Sequence, residues 1–245
     1  MKIPTYQEML DAGVHFGHLR RKWNPKMRQY IFAEHKGIHI IDVNRTAENL
    51  EKAASAMRNI VKSGRKIMFV ATKKQAREII ANAARTVNMP FVTERWLGGM
   101  MTNFATIRRS IKKMHNIERM LAAGNELSSI TKKERLTLDR ERAKLDKELG
   151  GISQLNRLPD ALFLVDIGHE HIALQEATRL GIKTFAMVDT NCDPNLVDFA
   201  IPANDDASKS ISIITSVLVE AIKEGLEERR QMKAELEETG AAANA

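Results

Sequence analysis

Short unbroken apolar runs alternate along this chain with stretches in which apolar residues recur at every third or fourth position. The runs at 67–71, 161–165 and 184–188 have strand length and are almost wholly apolar. That pattern predicts strands covered on both faces, as in a parallel sheet. Ile38-His39-Ile40-Ile41-Asp42 reads as another buried strand, and 91–92 and 199–201 as shorter ones. Between them the spacing predicts helices over 5–12, 45–62, 73–87, 170–180 and 207–225 or beyond. In the second of these, Leu50, Ala53, Ala54, Met57, Ile60 and Val61 share one side. Gly64 and Gly181 stop two of the helices, and Thr72 is expected to cap the one that opens at 73. Strand, helix, strand, helix in this order means a parallel α/β sheet with right-handed crossovers.

The rhythm breaks at Arg95-Trp96-Leu97-Gly98-Gly99-Met100-Met101-Thr102-Asn103-Phe104. A Gly-Gly pair takes backbone angles closed to other residues, and Thr102 or Asn103 can cap a following helix. From there Phe104, Ile107, Ile111, Met114, Ile117 and Leu121 recur at steps of three or four, a narrow coiled-coil-like stripe. Gly124-Asn125 interrupts it, and a second helix over 131–149 carries Leu138, Leu145 and Leu149. The expectation is an antiparallel helical hairpin, 103–150, projecting from an α/β body formed by 1–102 and 151–226. A charged, then Ala-rich tail, 227–245, is expected to fray.

Composition narrows the function. The chain has 245 residues, 38 basic against 31 acidic, a formal charge of +7 and a pI near 9.5, which suits a polyanionic partner. One cysteine gives no internal disulfide and fits a reducing compartment; no signal peptide or membrane span is read, so the expected location is the cytoplasm. The positive charge gathers in the stretch 15–37, read as a loop. Arg20, Arg21, Lys22, Lys26 and Arg28 place five cations in nine residues around Trp23, as phosphate contacts with base stacking require; the alternative is a solvated loop with Trp23 packed on the body.

Enzyme chemistry finds less support. No glycine fingerprint follows a strand, and the turn after the second strand is Thr72-Lys73-Lys74-Gln75, whose lysines could hold a phosphate of RNA as well as of a nucleotide. Cys192 sits in a turn with no evident histidine partner. Asp166, Asp189, Asp205 and Asp206 fall at or after predicted strand ends. If the basic loop folds over those ends, His18, Asp189 and Asp205 could meet around one divalent ion, zinc or magnesium; the alternative is that the acids cap helices or pair with local cations.

Read together, His15-Phe16-Gly17-His18, Trp23-Asn24-Pro25-Lys26-Met27, Gly37-Ile38-His39-Ile40-Ile41-Asp42, Thr72-Lys73-Lys74-Gln75-Ala76, Arg95-Trp96-Leu97-Gly98-Gly99-Met100, Leu158-Pro159-Asp160-Ala161 and Asn204-Asp205-Asp206-Ala207 resemble the bacterial small-subunit ribosomal protein two family. Ala71 departs from the glycine that many members place before Thr-Lys-Lys. The resemblance implies a flavodoxin-like three-layer α/β body with an inserted antiparallel coiled-coil hairpin and no catalytic activity. It also implies binding to small-subunit ribosomal RNA at the junction of head and body, and a part in holding ribosomal protein one, which recruits messenger RNA in translation. The RNA contacts expected are then Arg20, Arg21, Lys22, Trp23, Lys26, Arg28, Lys73, Lys74, Arg95, Arg108 and Arg109, with no membrane and no small-molecule substrate. The rival is a nucleotide-dependent enzyme on a doubly wound sheet.

Overall fold

The structure, a computed structural model, describes residues 3–122 and 131–242, with side chains as far as 236. Helix α1 (Tyr6–Asp11) opens on a capping box in which Thr5 and Glu8 satisfy each other's backbone N–H groups. The stretch read as a basic loop is folded. Strand β1 (Phe16–Leu19), two 3-10 turns (Arg20–Lys22 and Pro25–Tyr30), β2 (Ile31–His35) and β3 (Ile38–Ile41) form an antiparallel sheet in the order β1-β3-β2. The strand expected at 38–42 is therefore present, but it belongs to this small sheet and not to the parallel one. An apolar run records burial and is silent about the partner.

The parallel sheet follows. Helix α2 (Val43–Lys62) leads to β4 (Ile67–Val70), α3 (Lys74–Thr86) and β5 (Phe91–Val92). Helices α4 (Phe104–Ala122) and α5 (Lys132–Leu149) intervene before β6 (Ala161–Val165), α6 (His171–Leu180), β7 (Lys183–Val188), β8 (Phe199–Pro202) and α7 (Ser208–Ala242). The five strands lie in the order β5-β4-β6-β7-β8 with every neighbouring pair parallel. Counted within the sheet this is the flavodoxin order 2-1-3-4-5, as expected.

Side chains of alternate strand residues supply two cores. Ile67, Phe69, Ala161, Phe163, Phe185 and Met187 face α2, α3 and α7. Met68, Val70, Leu162, Leu164, Ala186 and Val188 face α6, the segment 96–101 and the roots of α4 and α5. These are the three layers. Phe69 and Phe163, opposite each other in register, meet edge to face.

The inserted helices lie side by side. Ile107, Ile111, Leu145 and Leu149 share one apolar cluster and Lys113 pairs with Glu141 further along, so the two run in opposite directions. Ile107, Ile111, Met114 and Ile117 are buried, as the stripe requires. The break expected at Gly124-Asn125 lies outside the described residues. Helix α7 continues to Ala242, so 227–242, expected as a frayed tail, is helical; Glu228 ties it to α2 through Arg58 at 3.0 Å and Lys62 at 2.8 Å.

The joint between body and arm is held by a residue far away in sequence. Glu176, on the buried face of α6, accepts from the indole N–H of Trp96 at 3.0 Å and from the backbone N–H groups of Gly99, Met101 and Thr102 at 2.8, 2.9 and 2.9 Å. The Thr102 hydroxyl also donates to it, at 3.1 Å, instead of capping α4, and the Asn103 side chain accepts from the Thr106 hydroxyl. Gly99 has a φ of +83°, which a side chain would strain, so the chain turns there around the carboxylate.

Candidate functional site

The carboxyl ends of the parallel strands open towards the small antiparallel sheet. β1 approaches so closely that a methyl group on Gly17 would lie 2.6 Å from the Thr190 side chain. The His18 N–H donates to the Thr190 hydroxyl at 2.8 Å, the Asn24 N–H donates to the Thr190 carbonyl at 2.8 Å, and Lys26 reaches Asp193 at 2.6 Å. The basic segment does fold over the strand ends, which is the condition that brings the proposed ligands together.

Beneath it lies a cluster of charged groups. His18 Nδ1 is 3.0 Å from Asp189 Oδ2, and His18 Nε2 is 3.6 Å from Asp206. The Lys73 ammonium sits 2.7 Å from Asp205 Oδ1, 2.6 Å from Asp206 Oδ1 and 3.1 Å from Asp166 Oδ2. Ligand atoms of His18, Asp189 and Asp205 all fall within 4.8 Å of one another. Asp205 is fully buried, and its Oδ2 has no hydrogen-bond partner among the described residues. A buried carboxylate oxygen without a donor is costly, and a cation would satisfy it. One imidazole nitrogen with carboxylate oxygens fits zinc better than magnesium, which prefers oxygen alone.

The electrostatics follow from this crowding. Burial, then the charges of Asp166 and Asp189, push the Asp205 carboxyl up to about 7 in spite of Lys73. Burial opposes the charge of Lys73, but Asp205, Asp206 and Asp166 outweigh it and raise its pKa. The hydrogen bond to Asp189 raises His18 against the opposing effect of burial. Cys192, buried beside these acids, has its thiol pushed up to about 12 by burial first, which suits a spectator and not a nucleophile.

The expected RNA contacts divide in two. Arg20, Arg21, Lys22, Lys26, Arg28, Lys74, Arg95, Arg108 and Arg109 are exposed. No described carboxylate lies within ion-pairing distance of Arg21, Lys22 or Arg28, whereas Arg20 pairs with Glu34 at 3.2 Å. Trp23 is half-buried, with its ring 5.2 Å from that of His39 on β3. Lys73 is 15 % exposed, and its ammonium is engaged by the acids. Thr72 does not cap α3; its N–H and hydroxyl both donate to Glu170 at 2.6 Å.

Residues 9–225 match the ribosomal protein S2 family along nearly the whole body and arm. The chain belongs to that family. It is 58 % identical over 228 residues to the small ribosomal subunit protein uS2 of Cytophaga hutchinsonii, covering 93 % of this chain and 89 % of the relative. The protein of the same description from Parabacteroides distasonis is 54 % identical over 237 residues, covering 97 % and 85 %. That from Bacteroides fragilis is 53 % identical over 242 residues, covering 99 % and 87 %. The S2 family is one of structural ribosomal proteins, which sets aside the rival enzyme. The geometry agrees: where open α/β sheets hold nucleotides, beyond the strand ends, this chain places four aspartates that would repel a phosphate.

Two residues of the site escaped the sequence reading. Glu170 at the start of α6 takes two donors from Thr72, 98 positions earlier, and Glu176 on its buried side takes five from Trp96, Gly99, Met101 and Thr102, 74 to 80 positions earlier. The legible sign was Glu176 between Leu174 and Ala177, a carboxylate on an otherwise apolar face.

Proposed function

We propose that this chain is a structural component of the small ribosomal subunit that binds small-subunit ribosomal RNA at the junction of head and body and helps to hold ribosomal protein one. Arg21, Lys22 and Arg28 carry this reading: they are exposed, unpaired with any described carboxylate, and mounted on a segment fixed to the body by Thr190 and Lys26. A preordered cationic segment loses little freedom on meeting phosphates, and such contacts position a protein without reading bases. Lys74, Arg95, Arg108 and Arg109 extend the same role over the strand ends and the root of the arm, whose helices form a coiled coil. Sedimentation of a cell lysate at low and high salt, with the protein followed by immunoblot, tests it. Comigration with the small subunit that weakens with salt is expected; presence only in the soluble fractions at low salt would overturn it.

The same reading includes one structural zinc ion held by His18, Asp189 and Asp205. Its support is that the three residues are brought together and that one of them, the buried Asp205, has an oxygen without a partner among the described residues. Bound there, the ion would tie the antiparallel sheet to the ends of β7 and β8 and so hold the RNA-facing segment in place. One equivalent of zinc retained by the dialysed protein is the expected result, and none retained would refute it.

A further inference from the structure

Lys73, expected as a phosphate contact, is the most heavily paired cation in the described structure. An ammonium has three N–H donors. Here each has its own carboxylate: Asp205 at 2.7 Å, Asp206 at 2.6 Å and Asp166 at 3.1 Å. The side chain reaches them from the first position after Thr72, between the end of β4 and the start of α3, where it is mostly covered. Asp166 directly follows β6 and Asp205 and Asp206 come shortly after β8; Asp206 approaches His18, and Asp205 lies within reach of both His18 and Asp189. The cluster therefore contains four carboxylates, but Lys73 divides it.

We infer that Lys73 sets which cation this site accepts, by engaging one oxygen each of Asp166, Asp205 and Asp206 and so keeping those oxygens from the ligand set. This rests on the zinc reading above. With the lysine in place, the trio left to an ion is the His18 imidazole, Asp189 and Asp205, whose Oδ2 is unpartnered among the described residues. That set offers one nitrogen and a charge of −2, which neutralises a zinc ion in few-coordinate geometry. With the ammonium removed, Asp166 and Asp206 are released into the same space. The set then becomes rich in oxygen and more negative, and suits larger coordination shells of manganese, magnesium or calcium. Lys73 is thus a specificity-determining residue that excludes abundant oxygen-seeking ions without touching the bound one.

The test compares zinc and manganese binding by dialysed full-length protein. Zinc is followed by competition with a chromogenic chelator and manganese by loss of the free-ion electron paramagnetic resonance signal. The wild-type chain should bind one zinc and prefer it strongly over manganese. In Lys73→Met the ratio of zinc to manganese affinity should fall at least tenfold. Circular dichroism shows whether that variant folds. Asp206→Asn, at a half-exposed position, supplies a second arm that leaves the lysine in place, and it should leave the ratio within about twofold because its Oδ1 is already held by Lys73 and Asp206 is outside the trio of ligand atoms. An unchanged ratio in folded Lys73→Met overturns the inference alone, as does a tenfold loss of zinc affinity in Asp206→Asn, which would make Asp206 a ligand. A wild-type chain that binds no zinc overturns the metal reading and the inference with it.

Discussion

Glu176 shows how one side chain fixes the geometry of the molecule. Five donors from Trp96, Gly99, Met101 and Thr102 converge on its two oxygens. Burial favours the neutral acid, but hydrogen bonds from Thr102, Trp96, Met101 and Gly99 outweigh it and hold its pKa below the ordinary 4.5. Glu176→Ala strands those donors and should cost roughly 3 kcal/mol or more in thermal or denaturant unfolding. The sign with pH follows from the lowered value: the ionised carboxylate stabilises fully above about 4.5, and that contribution is lost as pH falls through the folded-state value. The melting-temperature gap between wild type and Glu176→Gln should therefore narrow in acid, and a gap that widens there would refute the assignment. Sequence could not pair Glu176 with Trp96, because a single carboxylate in a helix carries no address for a loop eighty residues away. The acidic surroundings of Lys73 were hidden for a related reason. Beside Lys74 at a helix start this lysine reads as a phosphate contact, and only the fold brings aspartates from other strand ends around it.

At the scale of elements, the apolar runs and stripes were legible because burial on both faces or on one leaves a period in the sequence. The runs at 67–71, 161–165 and 184–188 became β4, β6 and β7 with small shifts at their ends. The three-stranded sheet was not legible. Its strands β1 and β2 are mostly exposed and are separated by 3-10 turns, so neither alternation nor an apolar run marks them. The arm tests which kind of interaction matters. Ile111 is buried in the stripe between α4 and α5, whereas Lys113 and Glu141 pair in solvent. Ile111→Ala should destabilise the protein by about 2–3 kcal/mol, and Lys113→Ala by less than about 0.5 kcal/mol, measured by urea unfolding. Equal losses would mean that charge and not apolar packing holds the pair.

For the whole molecule, sign and place of charge matter more than the net +7. Asp166, Asp189 and Asp205 at the strand ends are covered and Lys73 partly neutralises the acidic cluster from within, while Arg21, Lys22 and Arg28 face outward without described acidic partners. That separation turns a sheet edge suited to small ligands into a support for a cationic surface. Its direct test is the salt dependence of binding to small subunits stripped of this protein, for wild type and for the Arg21→Ala, Lys22→Ala, Arg28→Ala variant. If these residues meet RNA phosphates, the slope of log affinity against log salt should be shallower in the variant by about 2 to 3, near one unit for each phosphate that no longer meets a cation. The melting temperature of the free protein should stay nearly the same. Equal affinity and equal slope for the two proteins would contradict the account.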